Sequence, residues 1–305
     1  MSDPEAPLTI SHSGDSGLTD SHCHLSDERV FAEADALIAR AMNAGVTRIA
    51  LAGVEPAEWT RQLELKARYS DLLTLNFGLH PWWVEKYSRA ELDSILHELD
   101  TRVAHAQGVG ETGLDFHSKR NASRFDDQRE AFRQQIRIAK KHSKPLVLHV
   151  VQAHEECVKI LKEECSSAKS MGASDLGIPI LVHSYSGNVT QLQEYLRLGA
   201  FISYSGTLVR AAQGDGHEKT AKALLNTPIQ RLLFETDAPD QGWGDPENSD
   251  ENEPARVREV YEAALKIMEL PLQSGLPALA EVVGKNFRRL FGALGNVPND
   301  HGSAR

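Results

Sequence analysis

Seven side chains able to bind a metal ion each close a short apolar run. His22 and His24 stand in LTDSHCHL, His80 in LLTLNFGLHP, Glu111 in AQGVGETGLD, His149 in PLVLHV, His183 in IPILVHSYS and Asp237 in RLLFETDAP. Apolar runs of this kind read as buried parallel strands. Polar groups at the ends of several such strands can meet at the carboxyl-end mouth of a β/α barrel. Imidazoles and carboxylates gathered in a cleft form a ligand set for divalent cations.

Each residue also has a plainer reading. His22 and His24 are two apart, so a strand puts both on one face with Cα atoms about 6.6 Å apart. His-x-His alone is weak evidence of a metal. Asp20 before the pair is either its support or simply a polar strand residue. Glu111 lies among Gly108, Gly110 and Gly113, and strand glycines mark close approach of backbone or ligand. A buried salt bridge would satisfy that carboxylate equally well. A lone histidine after an apolar run is usually a hydrogen-bonded core residue. His149 and His183 at corresponding strand ends, together with the pair at 22 and 24, strain that reading. Asp237 is taken as the ligand of the eighth strand and Glu235 as its support; either acid could instead order the following loop. His80 could hold a phosphate or oxyanion, or fix the Pro81-Trp82-Trp83 turn. Trp82 and Trp83 could stack a base or anchor a loop.

The elements that must position these residues alternate regularly. Strands are expected over 18–25, 46–53, 72–80, 105–112, 145–150, 178–184, 200–205 and 230–236. Helices are expected over 27–44, 56–69, 88–100, 124–142, 153–167, 189–198, 217–226 and 254–268, with a further helix over 276–292. Eight strand–helix pairs are the count of a closed (β/α)8 TIM barrel. In the fourth helix Phe125, Phe132, Ile136 and Ala139 share a face. Residues 168–177 read as a surface loop. Residues 238–253 follow the eighth strand and carry six acids with no Lys or Arg. They read as a solvated acidic loop, or as a lid that filters substrate charge.

A chain of 305 residues fits a single barrel domain over 18–292, with mobile tails at 1–17 and 293–305. The first residues have neither the basic start nor the apolar core of a signal peptide, and no apolar run reaches the roughly 18 residues of a membrane span. The three cysteines offer no disulfide framework: Cys157 and Cys165 lie about 12 Å apart along a helix. Cys23, between the two histidines, is expected to point away from them. This usage suits a reducing compartment, hence the cytoplasm. The formal charge of −10 argues against a general nucleic-acid coat. It leaves room for an enzyme acting on phosphate esters, where bound metal adds local positive charge. Walker loop, zinc-finger spacing and Gly-x-Ser-x-Gly elbow are all missing. Gly108-x-Gly110-x-x-Gly113 matches the dinucleotide fingerprint only formally, since LDF and not a helix follows.

Taken together the chain resembles the TatD family of metal-dependent deoxyribonucleases. The resemblance rests on TDSHCHL, GLHP, GVGETGLDF, QREAFRQQIRIAKKHSKPLVLHV, HSYSG, LGAFISYSG, ETDAP, NEP at 252–254 and NFRRLFG at 286–292. It implies an amidohydrolase-type barrel hydrolysing phosphodiesters, as an exonuclease, with a metal-activated water. By motif, His22, His24 and Asp237 would bind one ion and His149 and His183 a second, with Glu111 between them and His80 near bound phosphate. Asp237 and Glu111 are then the catalytic acids, Asp237 orienting the water and taking its proton. The cofactors would be two divalent ions, drawn from Mg, Mn or Zn. The partner would be DNA or a small phosphodiester, with no membrane and no obligatory protein partner.

Two departures bear on substrate. The family follows its fifth-strand histidine with Ser-Arg-Asp, whereas Val150, Val151 and Gln152 follow His149 here. The family also places an arginine before Asn-x-Pro, where this chain has Glu251. Losing basic groups beside an acidic loop favours small phosphodiesters over long DNA. Fold alone does not choose the bond, so a small phosphoester, lactone or amide is the alternative substrate. A non-catalytic binding protein on a retired barrel is the second alternative.

Overall fold

The computed structural model describes residues 17–117, 119–165, 176–243 and 252–292. The expected tails lie outside these residues apart from Gly17, as do 168–175 and 244–251 of the two long connections and Glu251 with them.

Eight strands, β1 (Leu18–Cys23), β2 (Val46–Gly53), β3 (Leu73–Phe77), β4 (Gly108–Asp115), β5 (Leu146–Val151), β6 (Ile180–Val182), β7 (Phe201–Tyr204) and β8 (Leu232–Phe234), form one sheet in chain order. All seven ladders are parallel. The ends of β8 and β1 are joined by backbone bonds from Asp237 N to His22 O (3.0 Å) and from His24 N to Ala238 O (2.6 Å). The result is the expected (β/α)8 barrel. Its strands are largely buried on both faces because helices cover the outside and side chains fill the inside. Leu51, Leu75, Leu148, Leu181 and Leu233 are all fully buried.

The helices are α1 (Ala34–Asn43), α2 (Pro56–Arg68), α3 (Pro81–Val84), α4 (Arg89–Arg102), α5 (Phe125–Lys141), α6 (His154–Cys165), α7 (Val189–Arg197), α8 (Gly206–Gln213), α9 (Glu218–Leu225), α10 (Val257–Ile267) and α11 (Leu272–Phe291). The apolar face of α5 packs as expected, with Phe132, Ile136 and Ala139 fully buried. In α4 Ser88 and Glu91 form a reciprocal capping box, worth about 1 kcal/mol.

Several expectations change. The first helix starts at Ala34, not residue 27, because Asp27 Oδ1 accepts the Arg29 N–H at 2.8 Å and this local turn competes with helix. Helix α8 fills a stretch to which no element was assigned, and α3 follows His80 directly. Strand β4 runs to Asp115 rather than stopping at 112, so Glu111 sits inside the strand. Gly113 makes this possible: at φ +137° a Cβ there would lie 2.1 Å from His149 O. Glycine lets β4 press onto β5 and brings Glu111 beside His149.

Candidate metal centre

Shortened strands carry the site chemistry just past their ends. β1 ends at Cys23, β3 at Phe77, β6 at Val182 and β8 at Phe234, leaving His24, His80, His183 and Asp237 on the turns that leave the barrel mouth. Asp237 adopts φ +58° and Ser184 φ +42°, left-handed backbone that non-glycine residues take only where surroundings dictate it. All seven predicted residues come together in one buried cluster. None is scattered.

Glu111 is its hub. Its Oε1 lies 2.8 Å from His149 Nδ1, 2.9 Å from His183 Nε2 and 3.1 Å from His80 Nε2. Its Oε2 turns the other way, 3.3 Å from His22 Nε2 and 3.4 Å from His24 Nε2. Asp237 Oδ1 completes the second group, 3.2 Å from His24 Nε2 and 3.6 Å from His22 Nε2. The rings of His22 and His183 stack at 3.9 Å between the two groups.

The supports differ in part from expectation. Glu235 does not hold Asp237. Its Oε1 lies 3.2 Å from His183 Nδ1 and its Oε2 accepts from Ser203 Oγ. The strand ends at Phe234, so 235 and 237 no longer share a face. Gln241 Nε2 donates to Asp237 instead, at Oδ2. Asp20 proves to be a clasp: it accepts from Thr236 N (3.0 Å), Thr236 Oγ1 (2.6 Å) and His22 N (3.3 Å), tying β1 to the end of β8. Burial pushes its carboxyl up to about 8.

Asp115 was missed. Its Oδ2 lies 3.5 Å from His149 Nε2 and accepts the Trp82 indole N–H. The signal was present in GVGETGLDF, since residues 111, 113 and 115 share one face of a strand. Trp82 is 45% exposed at the rim, with the Arg120 guanidinium 4.4 Å over its ring. Trp83 packs against Tyr87.

The electrostatics favour positive charge at the centre. Burial alone would raise the Glu111 carboxyl, but the charges of His80 and His183 and hydrogen bonds from His149 and His183 hold it well below its ordinary value. Burial opposes His24 too, yet its hydrogen bond to Asp237 and the charge of Glu111 raise it to about 10. Burial and the charge of His183 lower His22, and burial lowers His80 to about 4. Ionised Glu111 and Asp237 must therefore be balanced by cationic imidazoles or by a metal. A metal fits. His22, His24 and Asp237 offer ligand atoms within 4.8 Å of one another, as do His80, Glu111 and His149, and His22, His183 and Glu235. His22 Nδ1 and His149 Nε2 are buried without a hydrogen-bond partner among the described residues.

Beside His149 and His183 lies a cavity of 190 Å³, walled otherwise by Val150, Val151, Ser184, Ser186, Thr207 and Gln241. These six carry no formal charge. Among the described residues no helix is long and apolar enough to cross a membrane.

Residues 19–292 match the family described as TatD related DNase. The chain is 30% identical over 276 residues to the uncharacterized metal-dependent hydrolase YabD of Bacillus subtilis, covering 90% of this chain and 98% of that protein. It is 29% identical over 270 residues to the 3'-5' ssDNA/RNA exonuclease TatD of Erwinia tasmaniensis, covering 88% and 97%. The structure superimposes on YjjV, a TatD homologue from Escherichia coli K12, with a TM-score of 0.76 and 27% identity over 90% of this chain and 97% of that one. By sequence and by fold the chain belongs to the TatD-related DNase family.

Proposed function

We propose that this protein is a phosphodiesterase that uses two divalent ions and acts on short nucleotide substrates or strand ends. The observation that carries the reading is the division of Glu111: one carboxylate oxygen faces His22 and His24, the other faces His149 and His183. A carboxylate can bridge two ions through its two oxygens, which a neutral imidazole, with a single lone-pair nitrogen, cannot. His22, His24 and Asp237 would hold one ion, His149 and His183 the other, with Glu111 shared.

Ions held there would supply Lewis acidity, lowering the pKa of a water and offsetting charge on phosphoryl oxygen. Asp237 orients the attacking water and takes its proton at Oδ2, the oxygen turned away from His22 and His24. His80 accepts the Trp82 backbone N–H at Nδ1 (3.1 Å). Its own proton therefore sits on Nε2. From Nε2 it donates to a phosphoryl oxygen.

The uncharged cavity walls support a short substrate. Val150, Val151, Ser184 and Thr207 offer no cation for a further phosphate, and the cavity is smaller than the roughly 300–1,000 Å³ of a drug-sized ligand site. Trp82, exposed at the rim with Arg120 on one face, offers its ring to a base. Metal analysis of the purified protein, with assays on a chromogenic phosphodiester, a lactone and single-stranded DNA across Mg²⁺, Mn²⁺ and Zn²⁺, tests the reading. Chelator-sensitive phosphodiester cleavage is expected. Lactone turnover without phosphodiester cleavage would favour the small-substrate alternative and defeat this one.

A further inference from the structure

Gln241 belongs to none of the motifs, yet it touches the acid on which the mechanism turns. Its Nε2 donates to Asp237 Oδ2 at 2.5 Å. Its Oε1 accepts from Ser184 Oγ and from Ser205 Oγ, each at 2.8 Å. The two hydroxyls are also 2.8 Å from each other. Three barrel strands meet in this knot: Ser184 follows β6, Ser205 follows β7, and Gln241 lies four residues beyond Asp237 after β8.

The orientation of the amide is set by its neighbours. Turned over, Oε1 would face the Asp237 carboxylate, acceptor against acceptor, and the NH₂ would displace two hydroxyl donors. The backbone agrees with a locked arrangement. Asp237, Ser184 and Gln241 all hold positive φ, at 58°, 42° and 52°, a conformation kept only where the surroundings over-determine it.

A carboxylate on a short side chain can rotate about its terminal torsion, and rotation would interchange its oxygens. Asp237 needs them distinct: Oδ1 faces His22 and His24, and Oδ2 is left for the water. We propose that Gln241 is a positioning residue that fixes the plane of the Asp237 carboxylate. It takes one lone pair of Oδ2 and leaves the other for the incoming proton. Ser184 and Ser205 hold Gln241 in turn. The inference rests on the metal reading above.

Calorimetric titration of the metal-free protein with Mn²⁺ alone tests it. The wild type should bind two ions. Gln241→Met keeps the bulk of the side chain and removes the amide. It should weaken one binding event about 10- to 100-fold, the range for losing a group that orients a ligand, and leave the other within twofold. Ser205→Ala should weaken the same event by less, and the double variant should be no worse than Gln241→Met alone, because both act through one contact. With ions saturating, kcat should fall more than KM rises. Equal weakening of both events, additive losses, or unchanged binding in Gln241→Met would overturn the inference while leaving the metal reading intact. A wild type that binds no ion would defeat both.

Discussion

Asp115 Oδ2 lies 3.5 Å from His149 Nε2, on the side of the ring away from Glu111. That distance is long for a hydrogen bond but close enough for charge to orient the imidazole. Burial opposes ionisation of Asp115, yet His149 and the Trp82 indole N–H hold its carboxyl well below the ordinary range. Asp115→Ala should therefore weaken ion binding at the His149 end about 10- to 100-fold, measured by equilibrium dialysis, and leave the His22–His24 end unaltered.

Asp237 is the proposed base. With ions saturating, Asp237→Asn should lower kcat about 10²- to 10⁴-fold, the usual contribution of a positioned base. Full turnover in a metal-replete Asn variant would remove Asp237 from that role.

Substrate length should matter. A dinucleotide should be cleaved with higher kcat/KM than long single-stranded DNA, and its rate should vary little with salt, because few phosphates meet cations. Trp82→Ala should raise KM for the dinucleotide about 5- to 150-fold, the equivalent of one base stack, with Trp82→Phe retaining most of the affinity. Efficient digestion of long DNA at physiological salt would contradict the uncharged cavity as a selector.

Acid stability reports on a histidine that is not one of the seven clustered residues. His154, at the start of α6, is buried with its Nδ1 3.2 Å from Tyr195 Oη. Burial, with Lys219 adding to it, lowers its pKa to about 4. The unfolded chain takes up this proton below about 6.5, while the folded chain resists until about 4. Its stabilising effect is thus complete above pH 6.5 and is lost as pH falls towards 4, by up to about 3 kcal/mol. His154→Gln should flatten the fall in melting temperature across that window.

The barrel and the clustering of the candidate ligands were legible because both depend on local pattern. Each ligand ended an apolar run, and strand ends share one rim of a β/α barrel. Glu111 was marked by its flanking glycines, whereas Asp115 was separable from core acids only through period two, and the reading stopped the strand at 112 before reaching 115. Glu235 was assigned to the wrong partner because a turn at Asp237 broke the alternation that sequence spacing assumes. Gln241 had no sequence signal, since its contacts to Asp237, Ser184 and Ser205 exist only once three strand ends have met. Helix α8 lies between the expected strand 200–205 and helix 217–226, where no element was assigned.

In the proposed centre Glu111 joins two ion sites. Metal content of wild type and Glu111→Ala, purified alike and dialysed against the same Mn²⁺, tests it most directly. Two ions per chain are expected for the wild type, and one or none for the variant, with phosphodiester hydrolysis lost. A variant that keeps both ions and its turnover would contradict the account.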